Sequence, residues 1–134
     1  MPFVLPVCVT FYHAYGLLCV EVIMKTVNIL GTEYEIVIDA PDEMLPPNSD
    51  GAMDHSIKRI AVAKFEPDGR SIKDLDAYRK KVLRHEIIHA FFYESGIWVN
   101  SGSTDCWGMD ETITDWIAIQ FPKMLKAFEE AGCL

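Results

Sequence analysis

Basic side chains are scarce in the first part of this chain: only Lys25 precedes His55, against eight acidic residues over the same stretch, and the net charge is -8. Such a balance repels a phosphate backbone and excludes nucleic acid as the expected partner. The basic residues from Arg79 to Arg84 fall inside one helical pattern and read as a solvated edge. Cysteine is sparse too. Cys8, Cys19, Cys106 and Cys133 form no C-x-x-C pair, which argues against a disulfide framework and a structural zinc site and fits free thiols in a reducing cytosol. Internal repeats and low-complexity tracts are missing, and 134 residues with 50% hydrophobic content suffice for one core.

A clean membrane span is also missing. Residues 1–23 are nearly uncharged apart from Glu21, but Pro6, Tyr12, His13 and Tyr15 interrupt the apolar run. A secretory signal would need a basic start and a small-residue cleavage site, and neither stands out clearly. Met24-Lys25-Thr26-Val27 reads as a natural start followed at once by a strand. The expectation is therefore an upstream extension over 1–23 and a single domain over 24–134, in the cytoplasm and off the membrane. Intact-mass analysis of the native protein finding 1–23 retained would refute the Met24 start.

Val27 to Leu30 and Glu33 to Ile38 read as two strands joined through Gly31-Thr32, with Tyr34, Ile36 and Ile38 pointing inward. Ala40 to Asp50 holds Pro41, Pro46, Pro47 and Asn48 and reads as an irregular connection. Lys58 to Lys64 alternates as a strand with Ile60 and Val62 on one side. Helical patterns follow: one from about Ser71 to Glu94, with Asp74 and Asp76 in its first turns and Gly96 as its stop, then a Trp/Ile-rich run through Trp116 to Ile119 that reads as a second buried helix. Pro122 is expected to interrupt that helix before a last amphipathic one ending near Gly132, and the polar stretch from Asn100 to Asp105 separates the two main helices. Strands first and helices after make an α+β domain, a small N-terminal sheet packed on two helices.

His85-Glu86-Ile87-Ile88-His89 carries the chemistry. Histidines four apart lie on one helix face and can grip one metal ion, with Glu86 close enough to take a proton from water on that metal. Leu75, Tyr78, Val82, His85 and His89 recur at spacings of 3 and 4, which puts both histidines on the expected inward stripe. Two imidazoles and a carboxylate are costly in an apolar setting unless a cation joins them. Zinc accepts imidazole and carboxylate, and a catalytic site needs three protein groups with one position left for water. Asp110-Glu111-Thr112-Ile113-Thr114-Asp115 supplies the third candidate: Glu111 for the metal, with Asp115 four residues on to accept the outer N–H of a ligand histidine. Cys106 is read as a packing residue beside Trp107, outside the site.

The HExxH pattern with a later E-x-x-x-D pair resembles the gluzincin-type metallopeptidases. Leu83 to Gly96 looks like the active-site helix of small phage- and prophage-encoded zincin-like proteins, similar in outline to the ImmA/IrrE-like metallopeptidases. The resemblance spans about Lys25 to Ala131, including Asp50-Gly51-Ala52-Met53-Asp54 ahead of the strand at Arg59 to Val62. It implies a minimal zincin fold with His85, His89 and Glu111 as zinc ligands, Glu86 as general base and Asp115 behind a ligand histidine. The metzincin continuation HExxHxxGxxH is absent after His89.

The expected reaction is hydrolysis of a peptide bond in a peptide or protein substrate. An extended substrate is expected to pair along an edge offered by the strand at Ile60 to Ala63. Tyr93, His55 and Tyr78 are the candidates for stabilising the oxyanion. Two rivals stand beside this reading. One is a zincin-fold binding module that keeps its metal for structure, against which the intact Glu86 speaks. The other is a metal-dependent nuclease, disfavoured by the acidic charge and by the lack of a further carboxylate cluster for two metals.

Overall fold

The computed structural model describes residues 6–13, 16–69, 72–100 and 110–130, with side-chain surroundings for 25–69, 72–99 and 110–126. Five strands come first: β1 (Pro6–His13), β2 (Gly16–Ile29), β3 (Thr32–Ala40), β4 (Gly51–Asp54) and β5 (Arg59–Ala63). Helices α1 (Leu75–Glu94), α2 (Ile97–Asn100) and α3 (Glu111–Glu130) follow. The strands form one mixed sheet in the order β1-β2-β3-β5-β4, in which only β3 and β5 run parallel. This is the α+β arrangement expected. No helix of the described residues is long and apolar enough to cross a membrane.

The β2–β3 hairpin turns on Leu30 and Gly31, one residue earlier than expected, because Ile29 pairs with Thr32. Both turn residues have left-handed backbones, φ 52° and 95°, the twist that a two-residue hairpin turn needs, and the Gly31 N–H donates to Asn28 Oδ1 at 3.0 Å. Alternation along β3 then separates two faces. Tyr34 and Ile36 join Ile29, Ile60 and Ala90 in the main core, with Ile38, Leu83, Ile87 and Met53 packed against it. Val37, Ala40 and Ala61 face the other way, covered by Met44 and Leu45 from the irregular connection, which contains one short 3-10 turn at Asp42–Met44.

Gly51–Asp54 is a strand that the sequence reading passed over, and it displaces the expected edge. Asp54 Oδ1 accepts from the Ser56 N–H at 2.8 Å, Lys58 adopts a left-handed φ of 55°, and the chain returns as a tight β4–β5 hairpin. β5 therefore lies inside the sheet between β3 and β4, so Ile60 to Ala63 offers no edge; β4 is the outer strand.

Helix α1 starts at Leu75 rather than near Ser71, because Asp74 caps it by accepting from the Ala77 N–H at 3.0 Å; Ser71 itself lies outside the described residues. Gly96, with φ 80°, closes its C-terminus as expected. Leu83, Ile87 and Ala90 pack on the main core, and Val82, Glu86 and His89 are buried along the adjoining line of the helix, so the expected inward stripe holds at Val82 and His89, with His85 half-buried beside them. Phe91 is exposed, and the apolar second half is enclosed on fewer sides than its composition suggests.

Helix α3 runs through Pro122 without a break. A proline within a helix leaves the carbonyl four residues earlier without its donor. Here that is the Ala118 carbonyl, and the Arg84 Nε–H of α1 takes it at 2.6 Å, so the lost bond is replaced across the helix pair. The same helix is only partly buried. Thr114 and Ala118, four apart, are enclosed, whereas Trp116 on the other side is 56% exposed. The last helix expected to end near Gly132 is the continuation of α3 as far as Glu130; residues 101–109, Cys106 among them, and those beyond Glu130 lie outside the described residues.

Candidate metal centre

Helix geometry brings His85 and His89 together, one turn apart on α1, with their Nε2 atoms 3.0 Å apart. Helix α3 supplies the third group. Asp110 caps it, accepting from the Ile113 N–H at 2.8 Å, which makes Glu111 its first residue and points that carboxylate at α1. Glu111 Oε2 lies 2.8 Å from His85 Nε2 and Oε1 lies 3.2 Å from His89 Nε2. Each of the three residues offers a ligand atom within 4.8 Å of the others. Asp115 Oδ1 stands 3.1 Å from His85 Nδ1, on the far side of the ring from Glu111.

The donor set suits a zinc-like cation. A proton on His85 Nδ1, facing the Asp115 carboxylate, leaves Nε2 as a bare lone pair directed at the other donors. Two imidazole nitrogens and a carboxylate at 2.8–3.2 Å need a proton or a cation among them. In tetrahedral zinc sites, ligand atoms about 2.0–2.2 Å from the metal stand about 3.3–3.6 Å apart, so these donors would need to spread by less than about 1 Å. His89 Nδ1 is buried and has no acceptor among the described residues.

The environment is half buried and acidic. Glu86 is 7% and His89 8% exposed, while the Glu111 side chain is 72% exposed, so the site is open toward α3. Burial, and then the Glu111 carboxylate, push the Glu86 carboxyl up to about 7, against the opposing pull of the Met53 backbone N–H and Lys81. Burial holds His89 below the usual imidazole range, although Glu111 pulls the other way. Burial would raise Asp115, but the Lys81 ammonium at 2.5 Å and the His85 ring outweigh it and hold the carboxyl below its ordinary value.

A cavity of about 230 Å³ adjoins the cluster, lined by His85, Glu86 and Glu111 together with Asp50, Gly51, Tyr78 and Lys81. Tyr78 is the one oxyanion candidate that shares it. Its hydroxyl donates to Asp50, which with burial pushes the phenol up to about 12. His55 and Tyr93 instead stack on each other at 4.2 Å, and Trp98 stands edge-on to His55, Tyr93 and His89 at 6.1 Å.

Sequence reasoning passed over three contributors. Gly51 comes so close to α1 that a Cβ there would lie 2.8 Å from both Glu86 Oε1 and Val82 Cγ1. Lys81 sits one turn before His85, a spacing visible in the sequence, but its partner on α3 is not. Arg84 carried no signal beyond its place in a basic run. Comparison with known proteins found no matching family, no similar curated protein and no similar solved structure.

Proposed function

We propose that this protein is a zinc-dependent metallopeptidase with a minimal zincin-like fold, in which His85, His89 and Glu111 hold the metal, Glu86 is the general base and Asp115 orients His85. The observation that carries the reading is the convergence of two imidazole nitrogens and the two oxygens of the Glu111 carboxylate from two helices, with His85 Nε2 2.8 Å from Oε2, His89 Nε2 3.2 Å from Oε1 and the nitrogens 3.0 Å apart, beside a buried carboxylate that no ligand role requires. When bound, zinc supplies a Lewis acid that brings the pKa of water from about 15.7 toward 7. Glu86, enclosed between α1 and β4, accepts the proton in a setting where burial has already increased its basicity.

The substrate is a peptide or protein segment in extended form, and β4 is the strand on which it pairs. The Ala63 N–H donates to the Asp50 carbonyl, so by the alternation of an antiparallel ladder Gly51 and Met53 direct their main-chain groups away from β5, the Met53 N–H being taken by Glu86. That outer edge runs past Glu86, which favours hydrolysis of the strand lying on it. The cytoplasm is the compartment proposed, from the lack of C-x-x-C pairs in the sequence.

Zinc stoichiometry tests the reading first. Elemental analysis is expected to find about one zinc per chain, lost in His89→Ala and in Glu111→Ala. Zinc absent from the wild type, or indifferent to Glu111, would shift the assignment to a binding module with another ligand set.

A further inference from the structure

We propose that Lys81 is a positioning residue that holds the Asp115 carboxylate on His85 and so presents a correctly oriented ligand set to the metal. The inference rests on the metal-site reading above and deepens it. Lys81 and His85 are one helical turn apart and reach the same oxygen of α3: Lys81 Nζ lies 2.5 Å and His85 Nδ1 3.1 Å from Asp115 Oδ1. Two donors on one acceptor fix its position in a way that neither does alone.

The lysine is itself confined. Its ammonium stands 5.8 Å from the centroid of the Tyr78 ring, and the Tyr78 hydroxyl is anchored on Asp50. Lys81 therefore reaches Asp115 with little rotamer freedom left to lose. It also places a positive charge beside Asp50, Glu86, Glu111 and Asp115, carboxylates that would otherwise repel one another as α3 docks. Arg84, one residue before His85, ties down the Ala118 carbonyl that Pro122 leaves without its helical donor. Lys81, Arg84 and His85 thus clasp Asp115 and Ala118, and the clasp sets where the first residue of α3, Glu111, meets the histidines. A histidine ligand whose outer N–H loses its partner typically costs about 10–100-fold in metal affinity.

The test is a double-mutant cycle on the full chain, with zinc affinity read by competition against a chromophoric chelator and the His85 tautomer read by nitrogen–proton NMR without metal. Lys81→Met and Asp115→Asn are each expected to weaken zinc by about 10–100-fold, and the double variant to be no weaker than Asp115→Asn alone. Lys81→Arg is expected to restore affinity. In the metal-free chain His85 is expected as the Nδ1–H tautomer in the wild type and in Lys81→Arg, moving toward Nε2–H in Lys81→Met. Lys81→Gln replaces Lys81→Met if the latter fails to fold, and the same outcomes apply. Additive losses in the double variant, or an unchanged tautomer with unchanged affinity, would overturn the role given to Lys81. A wild type that binds no zinc would sink the metallopeptidase reading, while the tautomer measurement would still decide whether Lys81 positions Asp115 on His85.

Discussion

Replacing Gly51 by alanine presses a methyl group into the narrowest gap between β4 and α1. The added Cβ would lie 2.8 Å from Glu86 Oε1, 2.8 Å from Val82 Cγ1 and 3.0 Å from Glu86 Cγ, well inside ordinary contact. The Glu86 carboxylate can rotate away, but Val82 is 5% exposed, and its branched side chain has few rotamers. Overpacking of this kind costs about 1–3 kcal/mol. Loss of the glycine's freedom in the unfolded chain offsets about 0.4–1 kcal/mol of it. The mid-range net is about 1.3 kcal/mol, which at roughly 3–5 °C per kcal/mol for a chain of this length lowers Tm by about 4–7 °C. Scanning calorimetry with metal present measures it. Pairing the change with Val82→Ala is expected to leave a favourable coupling of about 1 kcal/mol, because the second change removes one of the clashing atoms. Zinc binding should persist, since no ligand atom is among the three closest contacts, while peptide hydrolysis falls by about 10²-fold through displacement of Glu86. An unchanged Tm together with additive effects in the pair would show that the β4–α1 gap is wider than 2.8 Å contacts imply.

Two further predictions concern the proposed base and the anchor at the end of α1. Glu86→Gln is expected to retain zinc and lose hydrolysis by about 10²–10⁴-fold, and a variant that still cleaves at the wild-type rate would remove Glu86 from the chemistry. Glu94 accepts from Lys58 Nζ at 2.7 Å, from the Tyr34 hydroxyl at 2.7 Å and from Thr32 at 3.0 Å, and Lys58 first, then Tyr34, hold its carboxyl below the ordinary 4.5. A depressed carboxyl contributes stability that is complete above its unfolded value and is lost as pH falls through the folded one. The urea midpoint of the wild type should therefore drop below about pH 4.5, and Glu94→Gln should flatten that acid limb; an identical slope in the variant would rule the anchor out.

What could be read from the chain alone was what depends on neighbours in sequence. Histidines four apart share a helix face whatever surrounds them, so His85 and His89 were legible, as were the β2–β3 hairpin from Gly31 and the alternation that buries Tyr34 and Ile36. Glu111 and Asp115 were legible as a pair on one face of a later helix for the same reason. Pro122 misled because a helix interior normally rejects proline; the donor that excuses it, Arg84, is remote in sequence. Gly51–Asp54 was too short and too mixed to declare itself a strand, and its pairing with β5 moved the open edge away from Ile60.

Residue chemistry and helical or strand period are local properties, so the chain alone supplied the candidate ligand types, their spacing and the order of strands before helices. Tertiary structure alone decided that the Glu111 carboxylate meets both histidines, that Asp115 and Lys81 close behind His85, and that Glu86 lies against the outer strand at Gly51. Each of these depends on the distance between two elements packed together, and no periodicity within one element encodes that distance.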